Sequence, residues 1–343
     1  MSSPQGTPIR KTLISAYGDW SNVSIVSDTL PPPPAHHVQI LVLYSAMGGS
    51  DINMRNGNYP LQRAAPLTPG YVVVGRVALN GPSSTKFSPG TIVACLSKYD
   101  GQQTLTNMPE KYLVPVPADL HPKQAAAMVL DYTTAYGMVT RGATVRQGTR
   151  VFIHGLSGAV GHAVLQLCLL RGATCYGTAS ESNHEQLRAE GAVPFTYRDK
   201  EWMARMNEVG GAEVVFDSLG FESFDESWAI LTKGHGHLVG YGGNLYMLAG
   251  DHKPRSQIPM VTKLYAKNVI GIGCGRKTSF FGINRDQKTF EPELKELFAM
   301  GARGEIVAPI KKTVELDEVP DVHRDYAKLS GIGSLVVRIG GED

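Results

Sequence analysis

Residues 150–170 constrain this chain more than any other stretch. Val151-Phe-Ile-His154 is a short apolar run, and Gly155-Leu-Ser-Gly158-Ala-Val-Gly161 follows it directly. Beyond the turn, Val160, Ala163, Val164, Leu167 and Leu170 recur at intervals of three and four, the period of an amphipathic helix. A strand, a glycine-rich turn and a helix in this order form the phosphate-binding corner of a βαβ unit. Gly155 permits the tight turn, Gly158 lets the backbone approach a pyrophosphate, and Gly161 lets the helix lie against the strand. The helix N-terminus offers unpaired N–H groups and the positive end of its dipole to an anion. A dinucleotide is therefore expected on this turn, with Ser157 among its contacts.

The next strand, 174–178, distinguishes the cofactors. NAD sites usually carry an acidic residue about 20 residues beyond the turn to accept from the ribose hydroxyls. Here the strand runs out as Gly177-Thr178-Ala179-Ser180, and the first carboxylate, Glu181, comes one residue late. A short hydroxyl at Ser180 leaves room for a 2′-phosphate, and Tyr197 with Arg198 could close over it, the guanidinium as phosphate partner. The expected cofactor is NADPH.

The alternation continues after the turn. A helix is expected at 184–189, stopping before Gly191, and strands at 213–217, 237–241 and 268–272. Strands separated by helices imply a parallel sheet. Helical patterns at 124–129 and 133–141 lead into it. Before them, residues 38–44, 71–79, 91–96 and 112–116 read as short strands broken by Asn80-Gly81-Pro82 and Pro89-Gly90, a β-rich unit. The prolines 31–34 read as a surface loop between strands. The tail from about residue 291 holds a helix and a final strand at 335–339, expected to return to the β-rich unit. The fold class is therefore α/β, with domains at 1–122 plus 286–343 and at 123–285.

Composition removes several alternatives. The chain has 343 residues, 42% of them hydrophobic, so two cored domains are affordable. A net charge of +2 without basic runs gives no nucleic-acid footprint. No apolar stretch approaches the ~18 residues of a membrane span. The four cysteines, at 95, 168, 175 and 274, form no CxxC pair, which argues against a disulfide framework or a Cys-rich zinc site and for a reducing cytoplasm.

Asp51-Ile-Asn-Met-Arg55-Asn-Gly57-Asn-Tyr59, Pro69-Gly70, Thr133-Thr134-Ala135-Tyr136, the 155–161 turn, Gly177-Thr178-Ala179-Ser180, Tyr197-Arg198, Asp217-Ser-Leu-Gly220 and Gly240-Tyr241-Gly242 occur in one order along most of the chain. In that order and spacing they resemble the zinc-free medium-chain dehydrogenase/reductases of the quinone oxidoreductase group, in the branch of the vesicle amine transport protein 1 homologues. The resemblance implies a GroES-like β-rich domain with an inserted Rossmann domain and an active cleft between them. It implies dinucleotide contacts at Thr134, Gly158, Ala159, Val160, Ser180, Tyr197, Leu219, Tyr241 and Gly242. Asn183 stands near where many relatives carry a lysine for the 2′-phosphate. The zinc ligands of metal-dependent relatives have no counterpart, so no metal is expected. Relatives often dimerise by continuing the Rossmann sheet, here through the strand expected near 268–273.

The resemblance implies reduction of a quinone or of an activated C=C bond of an enone or enoyl substrate, and a pocket reshaped by the absence of the family's usual donors points to a substrate from secondary metabolism. Two departures bear on chemistry: Gly48 replaces an Asn and Asn53 replaces a Tyr that face nicotinamide or substrate in quinone reductases. The proton must then come from elsewhere. Tyr44, Tyr59, Tyr132 and Tyr241 are the tyrosines considered, with Tyr59, Asn53 and Tyr132 taken as the catalytic set. Asp131 could order Tyr132, or simply start a helix. His235 and His237 lack a third metal ligand nearby. The alternative reading keeps NADPH as a bound ligand of a non-redox protein, or of one acting in trans with a synthase.

Overall fold

The computed structural model describes residues 6–248 and 255–341. It divides into two compact units, Met1–Thr133 with Asn284–Leu329 and Ser334–Asp343, and Thr134–Ile283 with Ser330–Gly333.

The first unit opens with a two-stranded antiparallel sheet, β1 (Thr7–Ile14) and β2 (Val23–Leu30). Sequence alone did not signal it, because both strands lack a clean apolar alternation and β2 buries only Val23. The prolines 31–34 then form the loop to β3 (His37–Met47). With β4 (Val72–Asn80), β5 (Ile92–Leu96), β6 (Leu105–Pro109), β7 (Val114–Pro115), and from the tail β14 (Ile310–Glu315) and β15 (Ser334–Arg338), it makes the main sheet. The order is β14-β15-β3-β4-β5-β7, and β6 pairs with the half of β3 that β15 leaves open. Inward residues of β3, β4 and β5, among them Ile40, Val42, Val73, Val77, Val93 and Cys95, form the core. The helix Pro122–Val129 packs on this sheet, its start set by Pro122 in the first turn and by His121, whose Nδ1 accepts from the Lys123 N–H. The tail supplies the expected helix (Phe290–Ala302) and also a strand, β14, that runs parallel to β15.

The second unit is a six-stranded sheet in which every pairing is parallel. Its strands are β8 (Arg150–His154), β9 (Thr174–Thr178), β10 (Val193–Phe195), β11 (Val214–Asp217), β12 (His237–Gly240) and β13 (Lys277–Phe280), in the order β10-β9-β8-β11-β12-β13. The chain leaves β8 toward β9 and returns on the other side through β11, so the topological switch point lies between β8 and β11. Phe152, Val215, Trp202, Met206, Phe224, Leu238 and Leu264 form its core.

One expectation fails here. Residues 268–272 are not a strand but the last turn of the helix Gln257–Gly271. A short apolar run does not distinguish helix from strand by periodicity. In this helix Met260, Leu264 and Gly271 face the core, and Val269 and Ile270 lie outside. The chain then reverses at Gly275 (φ +66°), and a Cβ on Gly271 would stand 2.0 Å from the Arg276 carbonyl oxygen. The edge strand of the sheet is therefore β13, further along the chain.

Candidate functional site

The glycine-rich turn leaves β8 at Gly155 with φ +75°, a conformation open to glycine at little cost. The Leu156 N–H donates to the Thr178 carbonyl (2.8 Å) and the Gly158 N–H to the Gly155 carbonyl (2.9 Å), which folds the turn back over the end of β9. Gly158 is the N-cap of the helix Ala159–Leu169. A Cβ on Gly161 would lie 2.1 Å from the Gly155 oxygen, so the helix sits directly on the turn. The N–H groups of Ala159, Val160 and Gly161 open the helix, where no carbonyl one turn earlier exists to accept from them. Gly158 is exposed, while Ser157, Ala159 and Val160 are half-buried. The Ser157 carbonyl accepts from the Gly333 N–H (2.9 Å). First-turn donors, an exposed glycine at 158 where a side chain would project, and the positive end of an eleven-residue helix fit a pyrophosphate.

The neighbouring strand ends supply the rest of this surface. Phe195 of β10 pairs with Thr178 of β9, so Ser180 and the Tyr197-Arg198 dipeptide leave adjacent strands at the same end of the sheet. Ser180, Tyr197 and Arg198 are exposed, and Arg198 makes no ion pair among the described residues. Beyond the switch point, Leu219 follows β11, and Tyr241 and Gly242 follow β12. The Tyr241 N–H donates to Asp217 O (2.9 Å), and a Cβ on Gly242 would meet the Ser218 carbonyl at 2.5 Å. Thr134, in the helix Asp131–Gly137, is buried.

A buried carboxylate holds the β11 end in place. Asp217 accepts from the N–H groups of Leu219 (2.8 Å) and Gly220 (3.1 Å) and from the hydroxyls of Ser223 (2.8 Å) and Ser227 (2.6 Å). Ser227 also shares a hydrogen bond with His154 Nε2 (3.0 Å), and Trp202 stands edge-on to that ring. Burial pushes His154 below the usual histidine range, so it is a neutral member of the network. His154 is thus buried beside the turn, as its place at a strand end suggests. The two hydroxyls were not singled out from sequence, although their four-residue spacing puts them on one helical face. His235 and His237 go to different partners, Glu213 and the Ser279 hydroxyl. Among the described residues no cluster of three or more His, Cys, Asp or Glu could hold a metal ion.

The tyrosines and carboxylates considered for chemistry lie mostly in the first unit. Asp51, in the helix Gly49–Arg55, is fully buried and accepts from the N–H groups of Gly48 (2.9 Å) and Gly70 (3.2 Å). Desolvation outweighs these bonds and pushes its carboxyl up to about 6. Asn53, on the same helix, is buried. Tyr59 hydrogen-bonds hydroxyl to hydroxyl with Tyr71, the rings meeting edge to face at 5.8 Å. Burial raises both phenols above their ordinary value, so both stay protonated at neutral pH. Tyr71 was not singled out from sequence, because only the fold brings the residue just before β4 against the loop that carries Tyr59. Tyr132 is buried and donates to the Val307 carbonyl (3.1 Å). Asp131 begins its helix and accepts from the Ser334 hydroxyl (2.7 Å), not from Tyr132, and burial raises it to about 6. Tyr44 is buried beside the His121 ring.

Residues 34–118 match the family profile of the alcohol dehydrogenase GroES-like domain, and residues 187–337 match that of the zinc-binding dehydrogenases. The chain belongs to the medium-chain dehydrogenase/reductase family. This is a family of oxidoreductases, and its Rossmann unit binds a nicotinamide cofactor. Similar proteins include the rat synaptic vesicle membrane protein VAT-1 homolog, 25% identical over 98% of this chain and 85% of that protein. A mouse quinone oxidoreductase is 26% identical over 94% of this chain and 95% of its own length. A mycobacterial protein solved in complex with NADPH shares the fold, with a TM-score of 0.83 at 22% identity over 96% of this chain and 99% of that one. No helix among the described residues is long and apolar enough to cross a membrane.

Proposed function

We propose that the chain is an NADPH-dependent, zinc-independent reductase of small molecules carrying a conjugated carbonyl or a quinone. The observation that carries the reading is the β9 end: Ser180 exposes a hydroxyl where a carboxylate would select NAD, and Arg198 leaves the adjacent strand at the same end. The backbone N–H groups of Ala159, Val160 and Gly161 would hold the pyrophosphate, with Gly158, whose own N–H closes the turn onto the Gly155 carbonyl, leaving room for it to approach and Gly155 setting the turn. Ser180, Tyr197 and Arg198 would hold the 2′-phosphate, and Thr134, Ser157, Leu219, Tyr241 and Gly242 would line the remainder. The glycine at 158 and the unpaired first-turn donors fit that group. When bound, NADPH supplies a hydride to the acceptor.

The chain's own part is to orient the acceptor and deliver a proton. Tyr59 Oη holds one at neutral pH, and its bond to Tyr71 fixes the direction of that hydroxyl and offers a path for resupply. Tyr59 therefore replaces the donor missing at Asn53. Tyr132, whose hydroxyl is bound to Val307, positions its helix.

The test is NADPH oxidation by the purified chain with enones, enoyl thioesters and quinones. Turnover is expected with at least one class, and Tyr59→Phe should lower kcat about 10- to 100-fold with NADPH affinity unchanged. Tight NADPH binding without turnover on any acceptor would reject the reductase and leave an NADPH-binding protein that is not redox-active or acts only with a synthase.

A further inference from the structure

Four consecutive prolines, Pro31 to Pro34, join β2 to β3, and the chain does not turn on them. The reversal comes after them, at Ala35-His36, where His36 takes φ +61° and its N–H donates to the Pro82 carbonyl (2.8 Å). The prolines themselves form a straight rod. Each pyrrolidine ring fixes φ near about −65°, and each residue before a proline is pushed to an extended ψ, so Pro31, Pro32 and Pro33 are held in polyproline II geometry. None of the peptide bonds into these prolines is cis.

Polyproline II turns once in about three residues, which gives the rod three edges. Pro33 is buried, while Pro31, Pro32 and Pro34 are exposed. Pro33 therefore lays one edge against the protein. Pro31 and Pro34 stand on the second edge, roughly 9 Å apart at a rise of ~3.1 Å per residue, and Pro32 stands on the third. The rod is pinned at both ends. The Pro31 carbonyl accepts from Asn107 Nδ2 (2.9 Å) and the Pro34 carbonyl from the His37 N–H (3.1 Å). Gly81 brings its backbone close against it: a Cβ there would stand 2.2 Å from the Pro34 oxygen and 2.9 Å from the Pro33 oxygen, so a side chain at 81 would lift the rod. Between the two anchors, the Pro32 carbonyl makes no hydrogen bond among the described residues.

We propose that Pro31–Pro34 is the docking ligand of a second protein, which seats it in an aromatic-lined groove of the kind that reads proline-rich segments. Such grooves take exposed edges of a polyproline II rod between aromatic rings, and their Tyr O–H and Trp N–H groups are free to donate to a carbonyl. This rod presents two apolar edges and one open carbonyl, at Pro32. Without N–H groups it cannot be extended as a strand, so pairing with the edge of a partner's sheet is closed to it. The folded chain already holds the bound conformation, which removes the ordering cost that a free segment would meet. Residues 29–38 contain no Asp, Glu, Lys or Arg, so the matching groove is one that asks for no flanking charge, as WW and EVH1 domains provide.

Calorimetric titration of the full chain with a purified WW domain and with a purified EVH1 domain tests this. Saturable binding is expected with at least one of them. Pro31→Ala combined with Pro34→Ala should raise that dissociation constant about 10-fold or more, and Pro32→Ala, on the other edge, should raise it as well. Thermal unfolding should stay unchanged, since all three side chains are exposed and both anchoring carbonyls remain. A peptide of residues 27–38, in which folding plays no part, should bind no more tightly than the folded chain and should show the same losses. Binding by neither domain overturns the proposal and leaves the prolines as a spacer between β2 and β3. So does binding that the substitutions leave unchanged. So does a peptide that binds while the folded chain does not, since the groove would then need the edge that Pro33 buries.

Discussion

Gly158 and Gly161, three residues apart on the turn, answer differently to the same small substitution. Gly161→Ala would place a methyl group 2.1 Å from the Gly155 carbonyl oxygen and 2.9 Å from its carbon. Both atoms are backbone, held by the turn's own hydrogen bonds, so the helix Ala159–Leu169 must retreat by about an ångström from the turn it sits on, at a cost of about 3 kcal/mol. Gly158→Ala is a different perturbation. Its methyl group would lie 3.2 Å from the Gly155 oxygen, which asks for a few tenths of an ångström, and φ is −70°, open to alanine. Stability should change by less than about 1 kcal/mol. The new methyl group would nevertheless stand on the exposed backbone proposed to meet the pyrophosphate, and NADPH affinity should fall at least about 10-fold, or 1.4 kcal/mol. Denaturant unfolding gives the first quantity, and titration of NADPH fluorescence gives the second. Gly161→Ala should lose stability and affinity together, while Gly158→Ala should lose affinity alone. A Gly158→Ala variant that binds NADPH as the wild type does would refute the placement of the pyrophosphate on this turn.

Ser180→Asp should move cofactor preference from NADPH toward NADH by about 10- to 100-fold, because a carboxylate there repels a 2′-phosphate and accepts from a free ribose hydroxyl; an unchanged ratio of the two dissociation constants would show that Ser180 does not read the ribose. His323 offers a test of the first unit. It is buried, with no hydrogen-bond partner at either ring nitrogen among the described residues, and burial and the Arg55 guanidinium push it down to about 3. The unfolded chain takes up this proton below about pH 6.5 and the native chain does not until about pH 3. Stability is therefore lost as pH falls through that window, by up to about 1.4 kcal/mol per unit. His323→Leu should flatten that acid limb and stabilise the protein more at pH 5 than at pH 7, as urea titrations at the two pH values would show; equal gains at both would mean that its protonation does not matter.

Much of the Rossmann unit was legible because local and tertiary demands coincide there. The strands at 150–154 and 174–178 and the helix at 184–189 stand where the pattern puts them; in the first, the inner parallel strand, Val151, Phe152 and Ile153 are buried and apolar in a row. The glycine turn is legible for a related reason: a positive φ at 155 and a contact too close for a Cβ at 161 both demand glycine, and the demand is written in the sequence itself. Where a segment lies at the surface the pattern carries less. The strands β1 and β2 carry no clean alternation to mark them, and the β-branched run at 268–272 resembles a strand in isolation. Only tertiary structure made it a helix, because the core takes Met260 and Leu264 from one side of the segment and the Asn268 amide bonds the Thr278 backbone at the edge of β13. The same holds for chemistry. Tyr59 could be named from its loop, but its partner Tyr71 lies 12 residues away on another element, and Tyr132 was given a carbonyl by a segment 175 residues distant. The sequence by itself determined the glycine-rich turn at 155–161, since backbone geometry at glycines is a local property. That Tyr59 shares its hydroxyl with Tyr71 was decided by neighbours that only the folded chain brings together.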